Sequence, residues 1–438
     1  MNDERVPRKM SRRDFLKLGI GTGGAMTLLT VAGLANAEKL AQVARQVFGM
    51  AETSPAAAPP TMATVVQDPV IRLAATDGHI LLPGRDPLYS FGFVSVGVND
   101  PVNSVIGAYK GKVQTPAPII SVAEGEDVYL TLTNLGFVYR PDLDDSHTIH
   151  WHGFRNPLST FDGVPEVSIA VPVGRDFPYF YRPRDPGTYM YHCHFEDTEH
   201  VQMGMQGIVF VRPQQNNGSG SVPAGKYVYN DGNGMTAYDR EFALLLNEID
   251  TRPHDQLEAV QEFVWSDYKP QYWTINQRVY PDTVKSSTDP SLALDGLIRQ
   301  PISSLIQANP GDRVLLRMAN LGYEEHTMQL TGIAMKVVGH DATLLRGPDG
   351  TNLTYYAHNL YIGPGEARDA IFVAPAFDNS AIVGTDGQGD YNLYLFKNRN
   401  YHKTNSNDMP GLGGMVTEIR IYQNPLSAQS EPNQTFGV

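Results

Sequence analysis

One pattern occurs twice in this 438-residue chain, and the repeat constrains the fold more than any other feature. Segment 125–137 reads Gly-Glu-Asp-Val-Tyr-Leu-Thr-Leu-Thr-Asn-Leu-Gly-Phe, and segment 311–323 reads Gly-Asp-Arg-Val-Leu-Leu-Arg-Met-Ala-Asn-Leu-Gly-Tyr. In both, apolar side chains recur at alternate positions, the period of a strand with one buried face, and the strand then enters a loop. Downstream, the pattern His147, His150, His152 is echoed by His326, Gln329, Thr331. A gap-free alignment then sets 187–194 against 389–396, placing Leu395 opposite Cys193 and His402 opposite His200. With 41 Gly and 31 Pro to interrupt helices, the chain is predicted to be all-β. The expected architecture is two tandem Greek-key β-sandwiches spanning 66–213 and 240–424. The Gly-, Asn- and Ser-rich stretch within 214–239 reads as a linker, and 425–438 as a C-terminal tail.

The N-terminus reads as an address. Ser11, Arg12, Arg13, Asp14, Phe15, Leu16 and Lys17 resemble a twin-arginine export signal, followed by an apolar run and the small-residue site Ala35-Asn36-Ala37. The expectation is a signal peptide over 1–37, a Pro/Ala-rich connector over 38–65, and a periplasmic or cell-envelope location. No later segment is long and apolar enough to suggest a bilayer span. The formal charge is −13, and the leader carries six basic against three acidic residues, so the remainder is near −16. Such a balance argues against nucleic acid as a partner and suits a cationic donor.

Cys193 is the only cysteine, so no intramolecular disulfide forms and the thiol is free for other work. It lies between His192 and His194, with His200 and Met205 following and His147, His150 and His152 about forty residues earlier. A blue-copper site needs two imidazoles, one thiolate and a weak axial thioether, and His147, Cys193, His200 and Met205 supply that set. In an extended segment alternate side chains point opposite ways, so His192 and His194 face away from Cys193. His150 and His152 likewise share a face, with Trp151 opposite. Four imidazoles can thus converge on a second copper site back to back with the first.

These residues resemble the multicopper oxidase family, whose His-x-x-His-x-His and His-Cys-His…His-x3-Gly-Met signatures match the first repeat. The resemblance implies cupredoxin domains and copper as cofactor, with a type 1 centre and a type 2/type 3 cluster. His150 would be a type 2 ligand, and His152, His192 and His194 type 3 ligands. Asp162 would match an acid that serves the oxygen-reducing cluster, in proton delivery. The implied activity passes electrons from a small-molecule or metal-ion donor, through the type 1 copper, to a cluster that reduces dioxygen. The loop between His194 and His200 is two residues longer than the usual spacing.

The second repeat departs from this pattern. Gln329, Thr331, Tyr394 and Phe396 stand opposite the cluster histidines, and Leu395 opposite the thiolate, so that repeat cannot build a blue site. The family's cluster takes four histidines from each of two domains, which leaves three readings. First-domain faces of two copies could meet about a twofold axis and assemble eight histidines; a homo-oligomer is expected in any case, with a trimer, the usual assembly of two-domain relatives, as the expected form. A mononuclear copper beside the type 1 site would resemble copper nitrite reductase, and copper binding without oxygen chemistry would make an electron carrier.

Overall fold

The computed structural model describes residues 62–438 apart from 288, 290, 291, 293–296, 408 and 409. The expected leader and nearly all of the connector therefore lie outside the described residues. The first half contains β1 (Val65–Val66), β2 (Val70–Ile80), β3 (Leu88–Ser95), β4 (Ile119–Ala123), β5 (Val128–Asn134), β6 (His150–His152), β7 (Asp176–Tyr181), β8 (Gly187–His192) and β9 (Gln206–Arg212). Two short helices, α1 (Val102–Tyr109) and α2 (Asp197–Gln202), interrupt them. The strands make a five-stranded sheet, β1-β4-β9-β8-β6, and a four-stranded sheet, β3-β2-β5-β7.

The second half opens with β10 (Arg240–Ile249) and α3 (Thr251–Glu258). It continues through β11 (Tyr272–Ile275), β12 (Ile306–Ala308), β13 (Arg313–Asn320), β14 (His326–Leu330), β15 (Met335–His340) and β16 (Thr343–Leu344). It ends with β17 (Tyr355–Ala357), β18 (Asn359–Ile362), β19 (Ala367–Val373), β20 (Gly384–Asp386), β21 (Gly389–Asn398) and β22 (Val416–Tyr422). One sheet runs β11-β10-β13-β19-β15-β16 with β17 beside β15, and the other β12-β22-β21-β14-β18 with β20 beside β21. The repeated segments are β5 and β13, and each pairs in parallel with the first long strand of its half, β2 or β10.

Alternation explains the packing. In β5, Val128, Leu130 and Leu132 are buried in one core with Phe91, Trp151 and Tyr179, while Tyr129 between them is exposed. Trp151 stacks on Tyr181 with centroids 4.1 Å apart and planes at 7°. Truncating such a ring costs about 3–5 kcal/mol. Strand β8 is buried on both faces: Tyr189, Tyr191 and the following Cys193 enter the core of the first half, while Met190 joins Ile119, Ile208 and Phe210 against Ala243, Leu245 and Ala319 of the second. His192 follows Met190 on this seam face.

Buried charge adds to the seam. Arg317 lies 2.9 Å from Glu241, which also holds Arg212 at 2.7 Å, and Asp369 accepts hydrogen bonds from Thr188 and Tyr229 at 2.6 Å each. Segment 214–239 is packed: Val228, Tyr229 and Tyr238 are buried, and Asp231 accepts from Thr236 and Gln215. The last residues pack too, with Gln429 and Asn433 accepting from the main chain of β10 at Glu241 and Ala243. Among the described residues no helix is long and apolar enough to cross a membrane.

Candidate metal centre

Four neighbouring pieces of chain bring the first group together. His147 bridges to Val171 just before β6, Cys193 follows β8, His200 sits in α2, and Met205 precedes β9. The main chain locks their order: Cys193 N–H donates to Met205 O at 3.1 Å, and Met205 N–H to His200 O at 3.0 Å. All four side chains are buried and 0% exposed. Cys193 Sγ lies 3.3 Å from His200 Nδ1 and 3.9 Å from His147 Nδ1. The donor atoms of these three residues fall within 4.8 Å of one another.

The donor set fits a soft metal. Both imidazoles turn Nδ1 toward the same sulfur; Nε2 of His147 is buried without a hydrogen-bond partner, and Nε2 of His200 faces Asp145 at 3.6 Å. A thiol, two imidazoles and a nearby thioether form the ligand chemistry of blue copper. Thr148 N–H donates to Sγ at 3.4 Å, the kind of bond that stabilises a thiolate. Phe91 and Phe195 lie against His200, and Phe137 against His147, so aromatic rings exclude water. Burial holds the His147 pKa well below the ordinary imidazole value. For His200 burial acts the same way, but the neighbouring Cys193 and Asp145 outweigh it and push the pKa up to about 10 in the metal-free protein.

Strand parity places the second group on the seam side. His150 faces His192 across the β6–β8 ladder, and Trp151 faces Tyr191 on the core side. The rings of His150 and His152 are 5.7 Å apart, and His150 stands 5.2 Å from His192 and 5.1 Å from His194. Donor atoms of His150, His152 and His192 lie within 4.8 Å of one another; His194 meets the group through its ring and stands 3.7 Å from Asp197. Burial lowers the pKa of His150 and His152, and takes His192 down to about 3. These three rings are therefore neutral near pH 7, the form that binds metals.

Backbone carbonyls fix the tautomers. His150 Nδ1 donates to Asp162 O at 2.6 Å and His192 Nδ1 to Cys193 O at 2.8 Å, which leaves each Nε2 as the lone-pair donor. The Asp162 carboxylate is 3.7 Å from His150 Nδ1. Gly163, at φ +81°, makes this approach possible, because a Cβ there would fall 2.2 Å from Ile149 O. Gly365, from the second half, passes close enough that its Cβ would meet His152 at 3.3 Å.

The second half carries a counterpart to the sulfur site, and here the alignment drawn from the sequence needs correction. Asn398 N–H donates to Met415 O at 2.9 Å, as Cys193 does to Met205, and Met415 N–H donates to Lys403 O at 2.9 Å, as Met205 does to His200. Gln329 faces Lys397, as His150 faces His192. The true counterparts of His192, Cys193 and His194 are Lys397, Asn398 and Arg399, three residues beyond Tyr394, Leu395 and Phe396. His200 corresponds to Lys403, with His402 one residue off and its ring against Trp273. The gap-free comparison slipped because β21 spans ten residues against six in β8. Phe396, not Leu395, points into the core, opposite Leu330. The earlier conclusion survives: none of these positions offers an imidazole or a thiolate.

Other histidines are occupied elsewhere. His254 Nδ1 donates to Tyr89 O at 2.6 Å, His79 pairs with Glu258 at 2.9 Å, His340 meets Tyr355 at 3.1 Å, and His358 is exposed. The extra residues before His200 are taken up by α2, entered through Glu196 in a left-handed conformation. Sequence reasoning passed over Asp145, whose carboxylate stands 3.6 Å from His200 Nε2. Its place two residues before His147 was the one available signal.

Comparison with known proteins agrees with this geometry. Residues 102–216 match the family model described as multicopper oxidase. A multicopper oxidase from Talaromyces pinophilus is 33% identical over 107 residues, 24% of this chain and 16% of its own length. Laccase-7 from Oryza sativa subsp. japonica is 26% identical over 66% of this chain and 44% of its own. The chain thus spans less than half the length of these curated relatives. Among solved structures, the blue copper oxidase of Nitrosomonas europaea superposes with a TM-score of 0.58 at 23% identity, covering 81% of this chain and 86% of that one. A copper nitrite reductase from the same organism gives 0.53 at 18% identity, over 85% and 98%. The chain resembles multicopper oxidases in sequence and has the cupredoxin fold of blue copper oxidases and copper nitrite reductases, and copper is the metal of that family.

Proposed function

We propose that this chain is a copper-dependent oxidoreductase of the multicopper oxidase type, coupling oxidation of an external donor to reduction of dioxygen. His147, Cys193, His200 and Met205 would hold a type 1 copper, and His150, His152, His192 and His194 would supply half of a histidine cluster. One observation carries the reading: Cys193 turns its sulfur to two imidazoles on the core side, while the flanking His192 and His194 join a ring cluster on the other. Copper bound at such residues supplies reversible one-electron chemistry.

The protein's own contribution is placement. Cys193 is covalently joined to both neighbouring histidines, so one short stretch of backbone links the two groups. The aromatic wall keeps the sulfur site dry and holds its geometry. Asp162 fixes the His150 tautomer through its carbonyl, and its half-buried carboxylate is placed to hold a proton beside the cluster. A groove of about 480 Å³, lined by Arg140, Leu143, Glu199, Leu257, Phe263 and Trp265, adjoins the His200 helix. With Glu196 and Asp197 exposed nearby, it suits a small, cationic or aromatic donor or a metal ion. The leader read in 1–37 adds export by the twin-arginine route to a periplasmic or envelope location.

Four imidazoles are too few for an eight-histidine cluster, and Gln329, Thr331, Lys397 and Arg399 add none. The remaining ligands are therefore assigned to another copy of the chain, in a homo-oligomer. The same shortage favours a second reading, a mononuclear copper beside the type 1 site as in copper nitrite reductases. Copper counting of the purified protein by mass spectrometry, with its oligomeric mass, separates them. A shared cluster with oxygen uptake on a phenolic or cuprous donor supports the oxidase. A count of about two per chain with nitrite reduction supports the second reading. A fully metallated protein that consumes no oxygen removes the first.

A further inference from the structure

The second sandwich holds a polar assembly at the place of the sulfur site. His326 is fully buried, like His147, with which it shares the start of the repeated motif. Its Nδ1 accepts from Asn398 Nδ2 at 3.2 Å, and the same amide nitrogen lies 3.3 Å from Met415 Sδ. Asn398, Lys403 and Met415 occupy the main-chain positions of Cys193, His200 and Met205 by hydrogen bonding, not by alignment. Lys403 is 4% exposed and its ammonium pairs with Glu324 at 2.8 Å, just as His200 faces Asp145. The outer nitrogen of His326 meets Glu248 at 2.9 Å, whereas that of His147 is unpartnered.

The amide nitrogen of Asn398 therefore contacts the imidazole and the thioether that a metal would otherwise join. We propose that the second sandwich carries a type 1 copper site converted in place into a hydrogen-bonded plug, so that Asn398→Cys with Lys403→His restores metal binding there. The donor set would again be two imidazoles, a thiolate and a thioether, a set selective for copper. Two native ligands, His326 and Met415, are already seated. This inference rests on the first sandwich being a copper site, since the correspondence is drawn to that site.

The test compares full-length wild type with the double variant after copper loading, by mass-spectrometric metal count and visible absorption. The double variant is expected to gain about one copper per chain and roughly twice the absorbance at about 600 nm. A folded double variant with wild-type copper and absorbance overturns the inference. Should it not fold, Lys403→His alone places a second imidazole beside His326 and is expected to add one Cu²⁺ with a nitrogen-coupled resonance spectrum. An unchanged copper count in that variant, or failure of both to fold, overturns the inference equally, because a retained scaffold must accept its own ligands. Wild type without a blue band would instead refute the reading of the first sandwich.

Discussion

The first sandwich and the second treat the same interior position in opposite ways. Around Cys193 the contacts are loose: Sγ faces Nδ1 of His200 at 3.3 Å and of His147 at 3.9 Å, the outer nitrogen of His147 is buried without a partner, and that of His200 has Asp145 at 3.6 Å. Around Asn398 every counterpart is engaged, His326 with Glu248 and Asn398, and Lys403 with Glu324. Buried polar groups are almost always paired, so donor atoms that face one another only through loose contacts suit a shared metal, whereas close pairs mark a site filled by the protein itself. The difference teaches that binding capacity is legible in how closely a core pairs its own polar groups.

The strongest way to break this comparison is to remove the sulfur. Cys193→Ser is expected to abolish the absorption at about 600 nm and to lower donor oxidation by more than about a thousandfold, while Asn398→Ser leaves both unchanged. Parallel spectra and oxygen uptake decide; an effect of equal size from both variants would end the distinction. Next, Glu248→Ala strips the second site of a fully buried partner and is expected to cost about 3–5 kcal/mol, read from denaturant midpoints, with the copper count retained. Loss of copper in that variant would mean the two sandwiches are not independent.

Asp162→Asn sharpens the first site alone. It keeps the carbonyl that orients His150 and removes the acid, so copper content is expected to hold while turnover falls about a hundredfold. Equal loss of copper and turnover would reassign Asp162 to a purely structural role. The smallest effect concerns acid. Burial raises the Glu324 pKa, but hydrogen bonds from Lys403 and Trp273 outweigh it and leave it below the ordinary carboxylate value. A depressed folded pKa contributes stability that is complete above the unfolded value and lost as pH falls through the folded one. Glu324 is a third exposed, so the contribution is discounted to about 1 kcal/mol or less. Thermal unfolding between pH 6 and about pH 3 should show a shallower decline in Glu324→Gln than in wild type.

Much of the first site could be read directly. His150, His152, His192, Cys193 and His194 lie in or next to two strands, where a period of two settles which side chains share a face. Asp162 was found by its neighbours, but the sequence suggested only its carboxylate; the structure adds the carbonyl held by His150. Asp145 escaped because a lone acid in an acidic loop carries no periodic signal. The second site was misread in register, since a ten-residue strand of mixed apolar and polar residues offers several equally plausible alignments to a six-residue one.

The sequence by itself determined the repeat, the all-β class and which side chains are candidates to hold copper, because these depend on residue type and on spacings fixed by covalent geometry. Only the tertiary structure decided that Asn398, Lys403 and Met415 replace Cys193, His200 and Met205, and that the cluster histidines lie on the seam face. Those facts depend on hydrogen bonds between strands far apart in the chain, and a strand's own sequence does not say which neighbour it will meet or at which residue.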